Sequence, residues 1–435
     1  MTTEPVGRLV TSLAIPSMGS MVVTALYNIA DTWFVSRTGT QSAAALGIVF
    51  TYMSLVQAVS FFFGQGSGNF ISRALGSQHT EDAGKIAATG FFSAMIFMIT
   101  TSCLAMIFMS PILTLLGSTE TILPYARSYF KWILVGAPFI SCTFVLNNQM
   151  RHQGNAMMAM VGILSGAVIN VILDPILIFV LDMGVEGAGL ATCISQAIAF
   201  CIMLRMCRKR GGIAPKIRNF RPTFNQFRQI SKGGIPSLGR QGAMALTAMV
   251  LNNIAGLYGD TAIAAFAIVN RIMMLVQSLM IGFGQGFQPV CGFNFGARLF
   301  DRVRQGFRFC AGVTTAYALV FSVLGLIFAP QIVSLFKTGD EEVILLGVRI
   351  LRAQCITFTL AGFIITTNMY LQNIGATWSA FTVAIARQGL YLIPALWILN
   401  LTMGLNGVII AQPVSDVCSM LTSLPLASTK LKRMG

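Results

Sequence analysis

Apolar stretches of about 20 residues, the length a helix needs to cross the hydrocarbon core of a bilayer, recur twelve times along the chain. They fall near 12–35, 43–72, 86–110, 128–150, 158–181, 187–207, 233–257, 263–294, 308–329, 347–371, 378–399 and 405–428. Polar residues gather in the connections between them. The pattern predicts an all-α integral membrane protein with twelve transmembrane helices. One stretch breaks the pattern: residues 165–186, SGAVINVILDPILIFVLDMGVE, are apolar enough to span yet hold Asp174 deep inside. A carboxylate at that depth is costly unless it faces protein or water. Asn170 lies four residues earlier, so a helix stacks the two side chains on one face. Pro175 follows, has no N–H to donate, frees the carbonyl of Val171 and predicts a kink. The resulting group of oxygens suits a proton or a small hard cation.

Composition agrees with the pattern. Of 435 residues, 55% are hydrophobic and 10% charged, against about 25% charged in a typical soluble domain. The net charge of +15 does not point to nucleic acid, because the basic residues sit in short loops. That is the distribution of topology signals and of attraction to anionic headgroups. With the N-terminus in the cytoplasm, the inner connections hold Arg8, Arg73, Lys85, Arg151, Arg298, Arg302, Arg304, Arg308, Lys430, Lys432 and Arg433. The central loop 205–232 adds nine basic residues and no acidic one. The outer connections hold Arg37, Arg127, Lys131 and Lys337, with Arg349 and Arg352 near a span end where they can snorkel, beside Glu120, Asp182, Glu186, Asp260, Asp340, Glu341 and Glu342. Both termini are therefore expected inside. The opening MTTEPVGRLV lacks a signal-peptide cleavage pattern, so the first helix is expected to direct insertion. Nine cysteines, scattered singly and without a CxxC pair, read as small core residues.

The two halves repeat. Ile15-Pro16-Ser17-Met18-Gly19 matches Ile235-Pro236-Ser237-Leu238-Gly239, and Gly64-Gln65-Gly66 matches Gly284-Gln285-Gly286, at one offset of 220. Met183-Gly184-Val185 matches Met403-Gly404-Leu405 at the same offset. Six helices per half means repeats of the same sense, related by an axis along the membrane normal. The expected organisation is an N-terminal six-helix lobe (1–207), a basic cytoplasmic linker (208–232) and a C-terminal six-helix lobe (233–435). The Gly-Gln-Gly pairs follow no strand, so they read as close helix packing and not as phosphate loops.

Few ionisable residues stand inside the spans: Asp31, Asp174, Asp416, Arg240, Arg271 and Arg387. Asp31 lies near the outer end of the first span and Asp174 in the outer half of the fifth. Thr192, in the sixth, and Tyr129, in the fourth, fall near the same depth. Asp416 offers no evident oxygen partner in its own helix, so packing and coupling are equally open for it. The C-terminal half has Leu251 where the first half has Asp31, and arginines instead of acids. The 24 methionines and 32 phenylalanines would give an adaptable cavity for flat apolar ligands, with rings that favour cations.

With these features the chain resembles the multidrug and toxic compound extrusion (MATE) family, in its DinF- and MepA-like bacterial branch. The resemblance rests on the paired six-helix repeats, Asp31, GQGSGNFISRALG (64–76), NVILDP (170–175) and RQGLYLIP (387–394). It spans nearly the whole chain, and the Asn170–Asp174 pair is its most specific element. It implies a cation site in the N-terminal lobe built from Asp31, Tyr129, Asn170, Asp174 and Thr192, with Asp31, Asn170 and Asp174 as ligands should the ion be Na⁺. The NorM-like branch uses acids on helices seven and ten. Arg240–Gln241 and Gln354–Cys355 stand there here, so a second site is not expected.

The resulting expectation is an antiporter in the bacterial inner membrane, able to work as a monomer. It would exchange organic, often cationic, amphipathic compounds for inward H⁺ or Na⁺, with no cofactor beyond the coupling ion. The alternative is a flippase for lipid-linked oligosaccharide or lipid II, with Arg240, Arg271 and Arg387 gripping pyrophosphate. An enzyme is not expected. The only histidines, His79 and His152, fall in separate loops, and no nucleophile–base set accompanies them.

Overall fold

The computed structural model describes residues 1–209, 212–336 and 340–432. Arg210, Lys337 and Arg433, counted above among the loop charges, lie outside the described residues. Twelve long helices follow one another: α1 (Val6–Ser36), α2 (Thr40–Gly76), α3 (Thr80–Ile107), α4 (Leu123–His152), α5 (Ala156–Val180) and α6 (Gly184–Lys209), then α7 (Phe224–Gly256), α8 (Asp260–Gly296), α9 (Phe300–Ile327), α10 (Glu341–Asn373), α11 (Thr377–Met403) and α12 (Leu405–Lys432). Short helices Met109–Leu115 and Ala329–Ser334 follow α3 and α9. Among the described residues, eleven of the twelve are long and apolar enough to cross a membrane. The exception is α7, with 33 residues, whose sequence carries Arg228, Lys232, Arg240, Gln241, Asn252 and Asn253.

Two helices change their winding partway. α5 is regular to Pro175 and continues as a π-helical segment, Ile176–Val180. The kink expected at Pro175 takes this form, with the Leu181 N–H donating to the Ile176 carbonyl at 2.9 Å. α11 holds a second π segment, Ala386–Leu390. Such segments are frequent at functional sites, and the wider turn re-aims side chains.

The repeat is written into the backbone. Gly39 and Gly259 take φ 133° and 92°, Gln78 and Arg298 take 63° and 59°, and Gly184 and Gly404 take 54° and 58°. Each pair is 220 residues apart. Two carboxamides also repeat a contact that ties neighbouring spans together. Asn147 donates to the Ala159 carbonyl at 2.9 Å, and Asn368 to that of Ala380 at 2.7 Å.

Packing divides the chain into two units, Gly19–Gly234 and Met1–Met18 with Ile235–Gly435. The boundaries fall inside α1 and α7, each two residues from the proline of the repeated Ile-Pro-Ser motif. Glycines of the Gly-Gln-Gly motifs receive the first turns of these helices. A Cβ on Gly286 would lie 2.4 Å from Ala14, and one on Gly66 2.3 Å from the Ile230 carbonyl oxygen. No side chain fits either place, so close packing accounts for the motif. In the N-terminal unit, buried Tyr129, Phe130, Ile133 and Leu134 of α4 anchor a core cluster with the first part of α2 and of α6. Phe266, Phe358 and Leu396 do so in the other.

Candidate functional site

In the unit Gly19–Gly234 the five residues singled out in the sequence come together from four helices. Asp31 is 8% exposed, Thr192 1%, and Tyr129, Asn170 and Asp174 are fully buried. The Asn170 amide nitrogen donates to Asp174 Oδ1 and to Thr192 Oγ1, both at a long 3.4 Å. α4 and α6 approach closely at this level. A Cβ on Gly189 would meet the Tyr129 carbonyl oxygen at 2.9 Å, so the glycine lets Tyr129 and Thr192 share one space.

The arrangement leaves oxygens over. Asp31 Oδ1, Asp174 Oδ2, Asn170 Oδ1 and the Tyr129 hydroxyl are all enclosed with no hydrogen-bond partner among the described residues. The Tyr129 hydroxyl faces Thr192 and both carboxylates without closing a bond of normal geometry. Buried polar atoms are nearly always paired, so four orphans in one place mark something the protein alone does not complete. The two carboxylates lie within electrostatic reach of each other, and no arginine or lysine among the described residues acts on either. A cation is the natural complement: two anionic oxygens with neutral amide and hydroxyl oxygens form the donor set of a small hard ion, or a pair of proton acceptors.

One member was missed in the sequence. Tyr27 stands four residues before Asp31 on α1, and its hydroxyl reaches Thr192 and the fields of both carboxylates. The spacing that picked out Asn170 and Asp174 would have found it.

The other unit treats its acid differently. Asp416, 1% exposed, takes the Arg387 Nε on Oδ1 at 2.7 Å and the Gln412 amide on the same oxygen at 2.9 Å. The Thr357 hydroxyl donates to Oδ2 at 3.0 Å, and the Ser415 hydroxyl holds the Arg387 carbonyl at 2.7 Å. The reading that Asp416 has no partner in its own helix is corrected, since Gln412 lies one turn before it and points the same way. Of the three arginines considered as an anion grip, Arg387 is engaged here and Arg271 is exposed. Arg240 is half-buried, with its Nε enclosed and unpartnered. His152 is fully buried, with Nε2 3.2 Å from Gln65 Oε1, while His79 lies at the surface beside Ser77.

Comparison with known proteins gives the same outline. The sequence profile described as MatE matches residues 16–176 and 236–398, one match in each half. The multidrug export protein MepA of Staphylococcus haemolyticus is 29% identical over 417 residues, covering 94% of this chain and 90% of the relative. MepA of Staphylococcus aureus strain MRSA252 is 26% identical, covering 96% and 93%. A MATE transporter crystallised in complex with MaL6 superposes with a TM-score of 0.93 at 25% identity, covering 99% of this chain and 97% of the other.

Proposed function

Because the chain belongs to the MatE family, we propose that this multi-pass membrane protein is a secondary exporter of organic amphipathic compounds, many of them cationic. Export is driven by a cation that enters the site of the N-terminal unit. Asp174 and Asp31 bind it, with Asn170, Thr192, Tyr129 and Tyr27 as neutral partners. The observation that carries this reading is the set of four enclosed oxygens without partners, two of them on carboxylates.

Binding of H⁺ or Na⁺ neutralises the acids and supplies the missing contacts. Repacking of α1 and α5 around the filled site then changes the affinity for the drug. The π segment after Pro175 gives α5 a place to rewind without breaking its whole hydrogen-bond ladder. One proton exchanged for one monovalent drug moves no net charge. Two cations per drug would add about 2.3 kcal/mol per 100 mV, and two carboxylates provide for that. The loop charges support termini and central loop in the cytoplasm of a bacterial inner membrane. With Arg387 committed to Asp416 and Arg271 exposed, little is left for a pyrophosphate clamp, and export is preferred over lipid-linked saccharide flipping.

The test is efflux of ethidium from proteoliposomes, comparing wild type and Asp174→Asn under an imposed pH gradient and, separately, an imposed Na⁺ gradient. Gradient-driven efflux lost in the variant supports the reading, and the effective gradient names the ion. A folded wild type that moves ethidium under neither gradient would sink it.

A further inference from the structure

The unit Met1–Met18 with Ile235–Gly435 holds a charge that the cation site does not use. Arg240 of α7 encloses its Nε in protein, yet among the described residues its guanidinium makes no hydrogen bond and no ion pair. A guanidinium is always charged and carries five donors in a planar fork. Leaving it unpaired in a low-dielectric setting is expensive. An arginine that merely snorkels lays its stem along the lipid and puts the whole head among phosphates. Here the inner end of the head is walled in by protein.

The surroundings of Arg240 are known from the contacts of α7 with α11. A Cβ on Gly239 would meet the Phe381 ring at 2.5 Å, and one on Gly389 would meet the Ala243 side chain at 3.0 Å. Two turns after Arg240, and so on nearly the same stripe, the Thr247 hydroxyl donates to the Gln388 carbonyl. That carbonyl belongs to the π segment Ala386–Leu390, which also presents Arg387. The two arginines thus lie on one helix pair, separated by about 10 Å of helical rise.

Arg387 spends its Nε on Asp416, while its two terminal nitrogens donate to nothing among the described residues. Asp416 accepts from Arg387, Gln412 and Thr357, and among the described residues no hydrogen bond or ion pair joins it to Arg240. These three charged groups sum to +1. The missing counterpart is an oxyanion.

We propose that Arg240 receives the carboxylate of a zwitterionic amphipathic substrate on the α7–α11 face of this unit. Arg387 is paired with Asp416, so the net positive charge of this helix pair is that of Arg240. This rests on the exporter reading and deepens it, because it divides substrates by chemistry: those with an acidic group engage Arg240, and simple cations do not. A guanidinium–carboxylate pair is bidentate and directional, so Lys is only a partial substitute.

The experiment uses the full chain in phosphatidylcholine nanodiscs and two dyes of one ring system. Rhodamine 110 carries a free carboxylate, and rhodamine 123 is its methyl ester. Binding is read by fluorescence polarisation for wild type, Arg240→Gln, Arg240→Lys and, as a control on an exposed arginine, Arg271→Gln.

In Arg240→Gln, rhodamine 110 is expected to bind at least about tenfold more weakly, while rhodamine 123 tightens. Arg240→Lys recovers part of the loss, and Arg271→Gln changes neither dye. Equal weakening of both dyes in Arg240→Gln overturns the assignment, and so does an unchanged ratio. If rhodamine 123 binds the wild type but the ratio ignores Arg240, this inference fails alone. If neither dye binds, the exporter reading fails with it. Native mass spectrometry after adding phosphatidylglycerol supplies the last arm. A bound lipid lost in Arg240→Gln with the dye ratio unmoved would assign the residue to a lipid phosphate and overturn the substrate role.

Discussion

Asp174 and Asp416 are both buried acids inside apolar helices, and the two units hold them in opposite ways. Asp416 has every oxygen engaged, by Arg387, Gln412 and Thr357. Asp174 has one weak contact from Asn170 and an oxygen with no partner. Both carboxylates are enclosed by protein. One is offset within the protein and makes a strut between α10, α11 and α12; the other waits for an ion. Buried charge alone does not identify a site. The count of unmet contacts around it does.

The largest effect should come from Asp174→Asn. Ion-driven efflux is expected to fall more than about a hundredfold, since the amide takes up no proton and brings no negative charge to offset that of Na⁺. The melting temperature should hold or rise, because an incompletely satisfied buried anion has been removed. Asp416→Asn should show the reverse signature. Arg387 is then left buried without its counter-charge, a loss of about 3–5 kcal/mol read as a large fall in melting temperature. The joint replacement Arg387→Met with Asp416→Leu should restore most of that stability. If it does not, the pair is more than a strut and the contrast between the units weakens.

Asn170→Ala removes the amide that links Asp174 to Thr192 and should weaken the apparent affinity for the driving ion about tenfold. Ion titrations of the efflux rate measure this. Tyr27→Phe is expected to cost about threefold in the same titration, the worth of one neutral hydroxyl contact. An unchanged value would remove Tyr27 from the site.

Much of this was legible in the sequence. Span periodicity and the offset of 220 gave twelve helices in two repeats. A carboxylate, an amide and a proline within six residues gave the heart of the site. α7 was read as a span at 233–257, although Arg240 and several carboxamides make it less apolar than the other eleven long helices. The Arg387–Asp416 pair joins residues on different helices, and no spacing rule reaches across that separation. Gln412 and Tyr27 were within reach, each one helical turn from an acid already noticed. The π segment of α11 carries no proline within Ala386–Leu390 to announce it.

The boundaries inside α1 and α7 have a consequence for how the polypeptide is assembled. The unit Gly19–Gly234 owns eleven residues, Phe224–Gly234, from the start of the second repeat, and the other unit owns the first eighteen residues of the chain. As the polypeptide leaves the ribosome, its N-terminal segment must wait through some two hundred residues of synthesis before its neighbours exist. Dividing the gene at the central loop would therefore not yield two self-sufficient halves. Each fragment would carry a segment belonging to the other, and co-expression would be needed to recover either one.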